Sequence, residues 1–177
     1  MIAVLGQEIS SLNKFLKDNN NNFQCYIAND NSVGQIVVSG KLSSIKKFGE
    51  ELKKKKIKFV ELSVSAPFHC PLMRKATDEM KSKILNTKFK NPFSSIISNV
   101  TAKPENNPEQ IKELLIEQIE KPVRWRESIE NMRRLGVNRF IEVGPGKVLS
   151  GLIKRIDRNV ILNQVNNLED VKNIIND

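Results

Sequence analysis

The sequence has little of several residue types, and each shortage excludes a class of protein. Two cysteines, Cys25 and Cys70, are too few for a disulfide scaffold and lack the spacing of a zinc site. One tryptophan and one tyrosine offer few surfaces on which nucleic-acid bases could stack. No apolar run approaches the roughly 18 residues that a membrane helix needs. The composition therefore predicts a globular protein, and it contains a single histidine, His69.

Charge is the property of which the sequence has an excess. The chain has 29 basic and 20 acidic residues, a formal net charge of +9, and an apolar fraction of 39% that is sufficient for a core. A basic surface could attract an acidic partner. A general bias toward Lys, Asn and Ile, visible in the runs NNNN at 19–22 and KKKK at 53–56, explains the charge equally well. Both interpretations stay open at this point.

The order of predicted elements indicates an α/β protein with two parts. Residues 1–62 show the pattern β-α-β-β-α-β of a ferredoxin-like subdomain, with a turn predicted at 29–34. Residues 63–177 alternate between strands and helices, with one strand predicted at 95–100. This second part supplies about three strands, too few for a sheet that stands alone, so we expect it to belong to a larger domain.

His69 lies in the stretch SAPFHCPLM, between a predicted strand and a predicted helix. In α/β proteins, the loop beyond the end of a strand is where ligands commonly bind. A neutral imidazole there can act as a general base near neutral pH, although a lone histidine can also simply bond to the backbone. No G-x-S-x-G elbow occurs in the sequence, and the adjacent Cys70 is poorly placed to be activated by its neighbour. The pattern thus predicts a base without a nucleophile.

Two further segments allow either a functional or a structural interpretation. GPGKVL at 144–149 follows a predicted strand and precedes a helix, so it could hold a phosphate or form only a tight turn. It matches neither of the common glycine-rich phosphate motifs. Trp125 favours helix packing, while Arg124 and Arg126 could pair with an anion or point into solvent.

Four motifs together resemble one known family. NDNSVGQIVVSG, SAPFHCPLM, KPVRWRESIENM and IEVGPGKVLSGLIKRI occur in the order typical of the malonyl-CoA:acyl carrier protein transacylases of fatty acid biosynthesis. The chain resembles the C-terminal part of such an acyltransferase, and acyltransferase domains of polyketide synthases are a close alternative. The resemblance implies an α/β-hydrolase-like domain into which a ferredoxin-like small subdomain is inserted. Residues 1–62 would be that subdomain, and 63–177 the returning portion of the large domain.

The resemblance also implies roles for five residues. His69 would be the general base and acid, and the main-chain carbonyl of Gln118 would orient its imidazole, as an aspartate does in other sites. Phe68, Asn31 and Asn99 would contact or border the substrate, with Phe68 favouring malonyl over a branched acyl group. The implied substrates are malonyl-CoA and the phosphopantetheine thiol of acyl carrier protein. No metal and no resident cofactor are expected.

The family's serine elbow, its carboxylate-binding arginine and its N-terminal glutamine-glycine segment have no counterpart in this sequence. We expect them upstream of Met1, in a missing N-terminal half, and we expect the chain alone to be inactive. A non-catalytic module that docks acyl carrier protein, or a thiol acyltransferase that uses Cys70, are alternatives. The pathway operates in bacterial cytoplasm and in organelles, so the resemblance implies an intracellular protein.

Overall fold

A computed structural model describes residues 1–176 of the chain. The described residues form two compact units, Met1–Ser128 and the remainder from Ile129 onward. The sequence predicts a boundary after residue 62, between a small subdomain and part of a large domain. That boundary is a different division from this one and stays a prediction.

The first six elements of the first unit form a four-stranded antiparallel sheet with two helices. The strand order is β2-β3-β1-β4, which confirms the ferredoxin-like pattern predicted from the sequence. The elements in chain order are β1 (Ile2–Leu5), α1 (Ile9–Asp18), β2 (Cys25–Ser32), β3 (Gln35–Gly40), α2 (Leu42–Lys54) and β4 (Phe59–Glu61).

The two faces of this sheet have different roles. On one face, the apolar residues of α1 and α2 recur every three or four positions, so each helix buries a single stripe against the strands. The Phe23 and Phe48 rings lie there with their centroids 5.4 Å apart. The other face holds the small buried residues Ala3, Ala28 and Val37. Small side chains leave room above this face, where the candidate site is found.

Strand β2 is longer than the sequence pattern predicts. The predicted turn at 29–34 is wrong in extent, because β2 continues to Ser32 and only Val33 and Gly34 turn the chain. Gly34 has a φ of +71°, which glycine adopts without strain. Irregular pairing after Ile27 and after Asp30 allows the polar part of the strand to stay paired with β3.

The rest of the first unit contains mostly helices. A short 3-10 helix, Pro71–Met73, leads into α3 (Arg74–Asn86), and α4 spans Pro108–Glu117. Between α3 and α4 in the sequence lie two very short strands, β5 (Ile96–Ile97) and β6 (Pro104–Glu105), which pair antiparallel with each other.

The predicted strand at 95–100 is therefore wrong in length. The chain turns sharply after β5, where the Ala102 N–H donates to the Ser98 carbonyl at 2.8 Å. Ala102, which closes this turn, is fully buried and has a φ of +56°, in the left-handed region.

The second unit has a β-α-β core. In chain order, the elements are helix α5 (Trp125–Arg134), β7 (Arg139–Val143), α6 (Val148–Ile156), β8 (Ile161–Val165) and α7 (Leu168–Asn176). Strands β7 and β8 are parallel neighbours, with Arg139 opposite Ile161 and Val143 opposite Val165. A parallel pair joined by a helix agrees with the alternating pattern predicted from the sequence.

Candidate functional site

His69 lies in a loop whose backbone is held by nearby contacts. Its φ is +58°, a left-handed conformation that is uncommon for residues other than glycine. The Cys70 thiol donates to the Pro67 carbonyl at 3.1 Å, and the Met73 N–H donates to the Cys70 carbonyl at 3.0 Å. These bonds on both sides of His69 keep the loop in a conformation that the isolated chain would rarely adopt.

The imidazole of His69 contacts the end of helix α4. Its Nδ1 lies 2.9 Å from the main-chain oxygen of Gln118, the residue that caps this helix. A carbonyl can only accept a hydrogen bond, so Nδ1 carries the proton and Nε2 is left with a free lone pair. The last carbonyls of a helix have no partner within the helix, and the Gln118 oxygen takes the imidazole N–H as its donor. The geometry suits a residue that accepts a proton at Nε2 and returns it.

Phe68 and Asn31 lie together with His69. All three line a cavity of about 280 Å³, together with Asn29 and Leu62. Phe68 is 39% exposed at this cavity, so its ring is available to a ligand. The structure therefore brings three of the five predicted residues to one place, above the small-residue face of the sheet.

Asn99 lies elsewhere and connects to His69 through Gln118. The Asn99 side-chain amide donates to Gln118 Oε1 at 3.3 Å. Both residues line a separate cavity of about 270 Å³, which does not include His69. The predicted role of Asn99 in substrate binding stays a prediction, and its observed contact is with the residue that holds the imidazole.

A larger cavity that the sequence did not indicate also reaches His69. It has a volume of about 500 Å³ and is lined by parts of α1, β2 and the segment 120–122. Cys70 lines it, but only 1% of this residue is exposed. Burial raises the pKa of the other lining thiol, Cys25, to about 12. A thiol nucleophile needs exposure and a lowered pKa, so neither cysteine has the environment of one.

The segment with the lone tryptophan is attached to strand β2. The Val123 N–H donates to the Ala28 carbonyl at 2.8 Å, and the Asp30 N–H donates back to the Val123 carbonyl at 2.9 Å. Arg126 Nη2 lies 2.9 Å from Asp30 Oδ2, and Asp30 is only 3% exposed. A bidentate ion pair thus joins two residues that lie 96 positions apart in the sequence.

Both arginines of this segment pair with carboxylates of the chain itself. Arg124 pairs with Glu127, and this contact is the main reason that the pKa of Glu127 is lowered. Arg126 pairs with Asp30. Two interpretations were left open for these arginines, pairing with an anion and exposure to solvent. Pairing is correct, and each anion is a carboxylate of this chain. Sequence reasoning missed Asp30, because it lies in the stretch 29–34 that the sequence predicts as a turn.

The GPGKVL turn holds an anion that belongs to the chain. The carboxylate of Glu142, on β7, accepts bonds from the N–H groups of Leu149 and Ser150 at 3.0 and 2.8 Å. It also accepts one from the Ser150 hydroxyl at 2.6 Å. A carboxylate thus already occupies the N-terminus of α6, where a phosphate would bind. The structure favours the interpretation of this motif as a tight turn.

We expect Glu142→Gln to destabilise the protein by about 1 kcal/mol at neutral pH, the usual effect of a lost helix cap. The hydroxyl and N–H donors of Ser150 and its neighbours lower the pKa of Glu142. Its stabilising effect is therefore complete above the ordinary glutamate pKa and is lost as pH falls through the lowered value. The difference in unfolding free energy between wild type and variant should shrink as pH falls from about 7 to about 3.

Urea unfolding at several pH values measures this difference. Glu113→Gln, which changes an exposed glutamate on α4, is the matched control and should show little difference at any pH. A gap that stays constant across the pH range would contradict the role assigned to the Glu142 carboxylate.

The described residues contain neither a metal-binding cluster of His, Cys, Asp and Glu nor a membrane-spanning helix. Within residues 1–176, no group of three or more His, Cys, Asp and Glu side chains is placed to hold a metal ion. In the same range, no helix combines the length and apolar character needed to cross a membrane.

Comparison with known proteins gives consistent matches. The sequence model of the acyl transferase domain family matches residues 11–171. The malonyl CoA-acyl carrier protein transacylase of Staphylococcus aureus strain COL is 39% identical over 174 residues, covering 97% of this chain and 56% of that protein. The chain therefore spans little more than half the length of the relatives that it matches.

Solved structures agree with the sequence matches. The acyl-carrier-protein-S-malonyltransferase of Bartonella henselae superposes with a TM-score of 0.93 at 36% identity, over 99% of this chain and 56% of that one. A malonyl-transacylase in complex with a type II PKS acyl-carrier protein matches with a TM-score of 0.91 at 31% identity, over 99% of this chain and 58% of its own.

Proposed function

Because this chain belongs to the acyl transferase domain family, we propose that it supplies the acid–base part of a malonyl-CoA:acyl carrier protein transacylase. The main support is the 2.9 Å contact between His69 Nδ1 and the Gln118 carbonyl. That contact gives the imidazole one orientation and one tautomer, and it leaves Nε2 available for proton transfer.

The proposed reaction has two half-reactions that use the same histidine. A serine hydroxyl outside this chain attacks the thioester carbonyl of malonyl-CoA while His69 Nε2 accepts its proton. The carbon–sulfur bond then breaks, and the coenzyme A thiol leaves with that proton. In the second half-reaction, the phosphopantetheine thiol of the carrier protein gives its proton to Nε2 and attacks the malonyl-serine ester. The serine leaves as a hydroxyl, so no metal or resident cofactor is required.

Phe68 and Asn31 are proposed to contact the acyl group. Both line the cavity that also contains His69, so a malonyl group there would lie close to Nε2. The exposed ring of Phe68 would restrict space for a methyl branch, and such steric exclusion commonly gives about 10- to 200-fold discrimination. Asn99 is proposed to act through Gln118, with which it shares a hydrogen bond.

Acyl carrier protein and a further polypeptide segment are the proposed partners. The net charge of +9 would attract a carrier protein that is acidic, so we expect its binding to weaken with rising salt. The serine elbow is proposed to lie in a segment corresponding to the part of the relatives that this chain does not match. We propose that the reaction takes place inside the cell, in cytoplasm or an organelle.

We expect this chain, incubated alone with malonyl-CoA, to gain no malonyl group, because it contains no serine elbow. Intact-mass spectrometry of the folded chain measures this directly. Fusion of the unmatched part of the Staphylococcus aureus relative ahead of Met1 should restore a malonyl adduct and its transfer to carrier protein. The same fusion with its elbow serine changed to alanine is the matched control.

Three results would contradict the proposal. A stable adduct on the chain alone, mapped to Cys70 or Ser150, would indicate a different nucleophile. A folded fusion that carries the serine but transfers nothing would show that this chain lacks the acid–base function. A salt-sensitive complex between that inactive fusion and carrier protein would indicate a docking module instead.

A further inference from the structure

Arg124 uses its main chain and its side chain to hold one turn. On one side, Nη1 donates to the carbonyls of Val100 and Thr101, both at 3.2 Å. The main-chain N–H of Arg124 donates to the Asn99 carbonyl at 2.9 Å. On the other side, Nε donates to Glu127 Oε1 at 3.0 Å. The planar guanidinium holds several N–H donors in a fixed arrangement, so one arginine can bond two adjacent carbonyls and a carboxylate at once.

The turn that Arg124 holds is one that needs support. The Ala102 N–H closes it on the Ser98 carbonyl at 2.8 Å, and Ala102 is buried with a φ of +56°. The Val100 N–H bonds to the Ser98 hydroxyl at 3.2 Å. In these bonds the N–H groups of Val100 and Ala102 are the donors, whereas Arg124 donates to the carbonyls of residues 99–101. Without the guanidinium, two partly buried carbonyls would lose their donor.

The turn connects to the imidazole through one side chain. Asn99 extends from it and donates to Gln118 Oε1 at 3.3 Å, and the Gln118 main-chain oxygen meets His69 Nδ1 at 2.9 Å. Gln118 is the C-cap residue that follows α4, at an end where helices fray unless a contact restrains them. A continuous set of hydrogen bonds therefore runs from Arg124 through Asn99 and Gln118 to His69.

We infer that Arg124 is a positioning residue for His69. By holding the turn at 99–101, it keeps Asn99 against Gln118, and so keeps the Gln118 carbonyl where it selects the tautomer with the proton on Nδ1. That tautomer is the one that leaves Nε2 free to accept a proton. The catalytic meaning of this role rests on the proposed function, whereas the tautomer itself is a property of the chain without substrate.

The tautomer can be measured because His69 is the only histidine in the chain. In ¹⁵N-labelled protein, long-range ¹H–¹⁵N correlation spectra of the imidazole show which nitrogen carries the proton. At a pH where the ring is neutral, wild type should be mainly the Nδ1–H form. In Arg124→Ala, we expect the ratio of Nδ1–H to Nε2–H to fall about fivefold, the change that losing one ordinary hydrogen bond produces.

Three further variants make the test specific. Asn99→Ala removes the next link and should shift the ratio in the same direction. Arg124→Lys keeps the charge but not the fork, so it should give an intermediate ratio. Arg134→Ala makes the same chemical change as Arg124→Ala at an exposed position of α5, and it should leave the ratio unchanged.

An unchanged ratio in Arg124→Lys and Asn99→Ala would overturn the inference, even if Arg124→Ala failed to fold. Malonyl transfer by the fusion protein, measured separately, distinguishes this failure from that of the proposed function. Transfer without any tautomer shift would refute only the positioning role. A tautomer shift in a folded fusion that transfers nothing would refute only the proposed reaction.

Discussion

His69→Ala should lower malonyl transfer by about 10³- to 10⁴-fold in a protein that contains both this chain and the elbow serine. The variant removes the group that takes the proton from serine and later from the carrier thiol. It should leave the surrounding fold in place, because alanine removes only a half-buried ring at the surface of a cavity. Steady-state transfer from malonyl-CoA to holo carrier protein measures the loss.

The backbone at this position calls for a second substitution. Because φ is +58°, a residue that tolerates the left-handed region is preferable to alanine. His69→Asn satisfies this condition and also lacks a base of suitable strength, so it should lose as much activity as His69→Ala.

Gln118→Ala is the matched comparison for the histidine variants. The main-chain carbonyl that faces Nδ1 survives this change, and only the side-chain contact with Asn99 is lost. We therefore expect a decrease of no more than about tenfold. If Gln118→Ala were as damaging as His69→Ala, the side chain of Gln118 would carry a role beyond its contact with Asn99, which the proposed mechanism does not include.

Asp30→Ala should destabilise the protein by about 3–5 kcal/mol, the usual cost of removing one partner of a buried ion pair. Asp30 is only 3% exposed, and it contacts Arg126 through both carboxylate oxygens. The substitution takes the carboxylate away from a guanidinium that remains largely out of water. The midpoint of urea unfolding, at an unchanged slope, measures the loss.

An exposed ion pair provides the control for Asp30→Ala. Glu51 pairs with Lys54 on α2, where the lysine side chain is 71% exposed. Glu51→Gln should change the stability far less than Asp30→Ala does, since solvent screens such pairs.

The double variant Asp30→Leu/Arg126→Met tests the cause directly. It should be more stable than Asp30→Ala, because no guanidinium that has lost its buried carboxylate remains. A double variant as unstable as the single one would show that packing around Asp30, and not the lost ion pair with Arg126, accounts for the decrease in stability.

The parts of the fold that could be predicted from the sequence are those that depend on near neighbours. The apolar spacing in α1 and α2, and the β-α-β-β-α-β order, gave the ferredoxin-like sheet correctly. A stripe of apolar residues at helical spacing favours a helix whatever the rest of the chain does. The parallel β7–β8 pair followed in the same way from a strand, a helix and a strand in succession.

The parts that were wrong or left open are those where a distant residue decides the local structure. Residues 29–32 have the composition of a turn, yet they form a strand in which Asp30 bonds to Val123 and pairs with Arg126. GPGKVL has the composition of a phosphate loop, yet Glu142 fills its anion position. In each case a polar group found its partner within the chain, which composition alone does not reveal.

For the candidate site, the sequence by itself determined which residue types are present and the local signature around His69. The resemblance carried by four motifs pointed to Gln118 as its partner. Only the tertiary structure decided that His69 and the Gln118 carbonyl, 49 positions apart, meet at 2.9 Å, and that Cys70 is buried. The physical reason is how far apart in the sequence the residues that decide each property lie. Helix and strand formation depend on spacings of a few residues, whereas the orientation and solvent exposure of a reactive group depend on contacts between segments far apart in the chain.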